Sequence, residues 1–191
     1  MNATFSSHSF FEPNTPGAEM NNTDQVDQDW NSLLEMNAVF SACRRYRYAL
    51  MRTWEPSKPT CLFVGLNPST ADETENDHTI NRCLSYARNW GYGRMFMGNL
   101  FAFASTDPAG MKKAIDPIGP ENDAWLMKLS ATSDLTVGVW GNHGAFMGRS
   151  TQVRGILGDL YCLRINKSGE PAHPIYQLGT LLPQTFPNIP A

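Results

Sequence analysis

The sequence predicts an α/β fold, a three-layer α/β/α sandwich around a mostly parallel, four-stranded central sheet, with an antiparallel hairpin ahead of it. Three observations carry that expectation. Short apolar runs that end in glycine or polar loops alternate with segments of helical periodicity. The run at 61–65, CLFVG, is apolar without alternation, as a strand buried on both faces requires. With 191 residues, 41% of them hydrophobic, the chain is long enough for one domain with a substantial core.

The elements follow in order. Residues 1–36 carry six acids and no Lys or Arg, are rich in Asn, Ser, Thr, Asp and Pro, and sustain no apolar period. They read as an acidic, disordered tail, and 37–191 as a single domain. The stretch 38–54 (AVFSACRRYRYALMRTW) reads as two strands around a turn near Arg44–Arg45. After the 61–65 strand, Ile80, Cys83, Leu84, Ala87 and Trp90 recur at helical spacing between Asp77, a candidate N-cap, and Gly91, a candidate C-cap. RMFMGNLFAF (94–103) reads as the second strand. GPENDAWLMKLSA (119–131) is a helix with Pro120 in its first turn. The third strand falls at 135–140, a further helix at 145–160 and the fourth strand at 161–165.

Composition excludes several classes. No apolar run approaches the roughly 20 residues of a membrane helix. The N-terminus has neither a basic start nor an apolar h-region, so no secretory signal is expected. Four cysteines (Cys43, Cys61, Cys83, Cys162) form no C-x-x-C pair, which argues against a zinc ribbon or iron–sulfur cluster. Cys61 and Cys162 sit in apolar runs as core thiols, expected to be reduced in a cytoplasmic protein. The net charge of −3 hides an asymmetry: beyond residue 35 there are 15 basic and 12 acidic residues, a mild excess compatible with a polyanionic partner.

In a parallel sheet, ligands bind at the loops following the carboxyl ends of the strands. Those loops are 65–72 (GLNPSTAD), 99–107, 140–144 (WGNHG) and 166–176, the most polar parts of the chain. Gly65 permits a sharp turn, Pro68 stiffens the loop, and Asn67 is held at the strand end with Ser69 after it. An amide there orients a water or reads a base edge but is no strong base; its alternative is to stabilise the turn. Asn99 followed by Phe101 and Phe103 pairs a polar reader with aromatic plates, the arrangement that binds an unstacked base; the alternative for Phe101 is core. His173, before Pro174, is placed to donate a hydrogen bond to charge developing on a leaving group, and His143 is a second such candidate. Asn142 lies in the third loop and Tyr176 at the end of the fourth. Asp72, Glu73, Glu75, Asp77 and His78 crowd seven residues, as metal ligands or as a solvated loop and helix cap. Arg44, Arg45, Arg47 and Arg52 on the hairpin read as phosphate contacts or a solvated edge. Neither phosphate-binding glycine motif nor a G-x-S-x-G elbow occurs.

Taken in order, G-L-N-P (65–68), N-L-F (99–101), W-G (140–141) and H-P (173–174) resemble the uracil-DNA glycosylase superfamily over roughly residues 40–185. More narrowly, GLNPSTAD and the downstream pieces look like a bacterial and phage family labelled as a domain of unknown function. The resemblance implies hydrolysis of an N-glycosidic bond in DNA or a nucleotide, without a cofactor. Asn67 would position the water that attacks C1′, Asn99 read the base edge, Phe101 stack on it and His173 stabilise the departing anion. Gly65, Pro68, Ser69, Asn142 and Tyr176 would complete the substrate site. The loop lacks the Asp-Pro-Tyr of the most active branch, and Asp72 is the candidate substitute for that carboxylate. Ile175-Tyr176 stands where the DNA-intercalating loop has Ser-Pro, leaving Tyr176 or Ile175 as the wedge. The expected partner is DNA or a nucleotide, with no membrane, and a monomer is favoured. Two alternatives are a non-catalytic nucleic-acid or nucleotide binder with the same pocket, and a metal-dependent hydrolase using Asp72, Asp77 and His78.

Overall fold

A computed structural model describes residues 38–69 and 76–187. The acidic tail expected at 1–36 and the candidate Asp72 lie outside the described residues.

Seven strands form one mixed sheet in the order β1-β2-β4-β3-β5-β6-β7. They are β1 (Ala38–Phe40), β2 (Arg47–Thr53), β3 (Thr60–Gly65), β4 (Arg94–Asn99), β5 (Leu135–Gly138), β6 (Leu160–Cys162) and β7 (Gln184–Phe186). The expected parallel quartet is its centre: β4, β3, β5 and β6 run parallel, with Phe63 opposite Met97 on one side and Val137 on the other. The expectation of a four-stranded sheet needs correcting at both edges. The β1–β2 hairpin is antiparallel as expected, turning through Arg44 at φ 55°, but β2 also pairs antiparallel with β4. The reason lies in β2, whose residues 47–51 are all buried and so need cover on both faces. At the other edge β7 pairs antiparallel with β6.

The helices are α1 (His78–Asn89), α2 (Pro108–Lys112), α3 (Asn122–Ala131) and α4 (Arg149–Leu157). Side chains alternate along the central strands, so two cores form. Cys61, Phe63, Met95, Met97 and Val137 pack with Ile80, Cys83, Leu84 and Ala87 of α1. Leu62, Val64 and Phe96 pack with Leu126, Leu129 and Val153 of α3 and α4. Helix α1 begins as read: Asp77 Oδ1 accepts from Ile80 N at 2.8 Å, and Gly91 follows the helix at φ 87°. The helix expected at 145–160 is two pieces, a 3₁₀ segment Asn142–Gly148 and then α4, because Met147 and Gly148 both take positive φ.

The strand read at 94–103 stops at Asn99, where the chain leaves the ladder and is fastened differently. Leu100 N and Phe101 N donate to the Gly65 and Leu66 carbonyls, both at 2.9 Å. Buried Asn122 donates from Nδ2 to the carbonyls of Asn99 and Leu100, each at 3.0 Å, and Arg149 Nε reaches Leu100 O at 2.8 Å. The backbone carrying Asn99 is therefore pinned from α3 and α4. The four cysteines are free, three of them buried as core thiols and Cys43 exposed.

Candidate functional site

A cavity of about 570 Å³ opens at the carboxyl ends of the parallel strands, lined by all four of the loops expected there. Gly65, Asn67, Ser69, Asn99, Asn142, His143, His173 and Tyr176 border it. The cavity thus gathers most of the sequence-predicted site residues.

Each polar group is held in a defined way. Asn67 donates from Nδ2 to the carbonyls of Pro68 (3.0 Å) and Ser105 (2.9 Å), which leaves Oδ1 as the acceptor it offers. Pro68 is buried and serves through its carbonyl, which also accepts from Ser105 N, rather than by lining the cavity. Asn99 is 1% exposed, and its Nδ2 finds no partner among the described residues. A buried amide donor without a partner is costly, so this one is available to an acceptor entering the cavity. Gly65 makes room for that amide: a Cβ there would lie 2.8 Å from Met97 Cε and 2.9 Å from Asn99 Oδ1. Gly65→Ala is expected to cost about 1–3 kcal/mol of stability and to displace the Asn99 amide. Chemical denaturation checks the first effect, and the Asn99 side-chain amide resonance the second.

His173 is half-buried, with Nδ1 buried and unpartnered among the described residues, and its ring lies 5.8 Å from that of Tyr176. Burial lowers its pKa from the ordinary 6.5, while the charge of Asp77 acts in the opposite direction. Between the lowered value and 6.5 the unfolded chain binds more protons than the folded one. Stability is therefore full above about pH 6.5 and falls as the pH drops through that window. Thermal melts are expected to lose more between pH 7 and pH 5 in the wild type than in His173→Gln.

The loop carrying His173 is fastened to α1. Arg82 Nη2 donates to the Gln177 carbonyl, Tyr86 OH to Leu178 O at 2.8 Å and Trp90 Nε1 to Leu181 O at 3.0 Å. These residues share one helix face. Gly141, at φ 71°, lies against this loop: a Cβ there would be 3.6 Å from His173 Cβ. Trp140, 1% exposed, also lines the cavity and donates from Nε1 to Glu170 Oε2 at 2.6 Å.

Two expectations are corrected. Phe101 does not border the cavity: it is 0% exposed in the core between the sheet and α3–α4, its ring 5.7 Å from Phe146. The pairing of Asn99 with Phe101 assumed a strand running through both, and β4 ends at Asn99. Arg47 is not a solvated edge: it is 2% exposed and lines the cavity, burial pulling its guanidinium down to about 10 against the field of Asp77.

Asp77 was legible as the helix cap, and it is also the one carboxylate lining the cavity among the described residues. Its Oδ2 accepts from Ser69 Oγ while Oδ1 caps α1, so two donors fix the orientation of the carboxyl group. Cap spacing identified the residue; only the packing of α1 against the GLNPS loop shows where it faces. Among the described residues no group of three or more His, Cys, Asp or Glu is placed to hold a metal ion, and no helix is long and apolar enough to cross a membrane.

No curated protein and no solved structure matches the chain. A family model described as "Protein of unknown function (DUF1643)" matches residues 47–175, a span that includes every cavity residue named above except Tyr176 and Gln177. More than half of the chain is covered, and the protein belongs to this DUF1643 family.

Proposed function

We propose that this protein acts on a nucleobase in DNA or a nucleotide and hydrolyses its N-glycosidic bond, in the manner of the uracil-DNA glycosylase superfamily. The observation that carries the reading is the convergence of Asn67, Asn99, His173 and Asp77 on one cavity from separate loops. Cleavage of the C1′–N bond builds positive charge on the sugar and negative charge on the base. The unsatisfied Asn99 Nδ2 donates to a carbonyl on the base edge. Asn67, its amide nitrogen already committed, accepts from the attacking water through Oδ1. The water oxygen bonds to C1′ as the C1′–N electron pair passes to the base. The carboxylate of Asp77 stabilises the sugar cation and takes the water's proton. His173 donates a hydrogen bond to the anionic base in a partly dry site. No cofactor enters this scheme.

The amide at position 67, where a carboxylate would activate water more strongly, favours a second reading: a nucleobase binder with the same cavity and no turnover. One assay separates the two. Single- and double-stranded oligonucleotides and mononucleotides carrying uracil or 5-hydroxymethyluracil are incubated with and without EDTA, and free base is measured by mass spectrometry. Release by wild type and its loss in Asn67→Ala are expected. Binding without release in the wild type would replace the enzyme with the binder, and activity abolished by EDTA would favour the metal-dependent hydrolase.

A further inference from the structure

We infer that Arg47 binds a phosphate of the nucleotide whose base Asn99 and His173 receive, so that the cavity recognises a nucleoside phosphate in preference to a bare nucleoside. This rests on the nucleobase reading and adds the residue that recognises the phosphate. The starting observation is a cation in an unusual place. Among the described residues Arg47 is the one Lys or Arg that lines the cavity, and it is 2% exposed. Burying a charge is costly, and a well-packed apolar side chain would serve the stability of a buried strand as well or better. A buried cation on a cavity wall is therefore explained by what the cavity holds.

The fold brings this charge to the ligand. Tyr46 and Tyr48, on either side of it in sequence, stack with ring centroids 6.3 Å apart, and Tyr48 stacks on Trp125 in the core on the α3–α4 side. Strand alternation turns Arg47 to the other face of the sheet. Strand β2 runs antiparallel to β4 with Leu50 opposite Met97, so its first residue, Arg47, stands beside the end of β4, where Asn99 lies. Arg47 N donates to Ala102 O at 2.9 Å, which ties this position to the chain leaving β4. The strand order β2-β4-β3-β5 then spreads the cavity groups in a row: Arg47 on β2, Asn99 on β4, Asn67 after β3, and Gly141, against the His173 loop, after β5. With about 4.8 Å between strands that row covers about 14 Å, room for a nucleoside with a phosphate at one end. The guanidinium is charged at neutral pH, burial lowering its pKa only to about 10 while the field of Asp77 supports it. Its planar fork of five N–H donors fits two phosphate oxygens at once, and one protein partner does not use up five donors.

The test is calorimetric binding of 2′-fluoro-2′-deoxyuridine, its 3′- and 5′-monophosphates and its 5′-methyl phosphodiester, the fluorine blocking cleavage. At least one phosphate compound is expected to bind about ten- to a hundredfold tighter than the nucleoside. In Arg47→Gln that advantage is expected to shrink below about threefold, while Arg47→Lys, which keeps the charge and loses the fork, retains part of it. The Nε–Hε resonance of Arg47 in the unmutated protein is a second readout, which decides alone where a variant does not fold. It is expected to shift with the phosphate compounds and to stay in place with the nucleoside. A larger gain from the monoesters makes the terminal phosphate of a free nucleotide the source, and an equal gain from the diester makes it the backbone of a strand; both support the inference. Nucleoside binding with no phosphate advantage, or an advantage that survives in folded Arg47→Gln, overturns it and leaves the nucleobase reading standing; an unmoved Arg47 resonance in the presence of bound nucleotide does the same. Failure of every compound to bind overturns the nucleobase reading itself, and this inference with it.

Discussion

His173→Ala is expected to lower the rate of base release by about 10²–10³-fold, the usual consequence of removing one donor aimed at developing negative charge. The imidazole is half-buried on a loop strapped to α1, with Nδ1 buried and unpartnered among the described residues, so it is available to a ligand in the cavity. Truncation removes the hydrogen bond that strengthens as the base becomes an anion. Single-turnover kinetics checks this: the chemical step should slow while the dissociation constant for substrate changes by less than about tenfold. An equal loss in binding and rate would make His173 a recognition residue. An unchanged rate would remove it from the reaction. The variant should fold normally, since the side chain supplies no hydrogen bond within the described protein.

Phe101→Ala is expected to destabilise the fold by about 3–5 kcal/mol, among the largest single losses this core can suffer. Phe101 is fully buried against Phe146 and the α3–α4 side of the sheet. Phe101→Leu, which keeps most of the volume, is expected to cost about 1–2 kcal/mol. It should leave nucleobase affinity within about twofold, because the ring does not border the cavity. Urea unfolding checks the first pair of values and calorimetry the last. An affinity loss of tenfold or more in a well-folded Phe101→Leu would restore the stacking role that the N-L-F motif suggested.

The comparison of these two residues explains what could be read in advance. Loops that follow buried parallel strands are forced to one edge of the sheet, so the apolar run at 61–65 and the helix signals of Asp77 and Gly91 located the cavity loops. Side-chain direction is a finer matter. It depends on where a strand stops, and β4 stops at Asn99 because the chain turns to bond the Gly65 and Leu66 carbonyls. The chain leaves the strand four residues earlier than read, and Phe101 passes from the expected face to the opposite core. Strand β7 escaped for another reason: three residues, Gln184 to Phe186, between Pro183 and Pro187 carry no periodicity to detect. Arg47 and Asp77 reach the cavity only through tertiary packing, the first from an edge hairpin drawn into the sheet and the second from a helix cap laid against Ser69.

The claim shared by the catalytic and the binding readings is that Asn99 and His173 receive a nucleobase. Titration of isotope-labelled protein with uracil, followed through the Asn99 side-chain amide and the His173 imidazole resonances, tests it most directly. Saturable shifts of both signals, with the Asn99 Nδ2 protons moving downfield as they gain an acceptor, are the expected result. Uracil that leaves both signals unmoved at saturation of any other site would contradict the account.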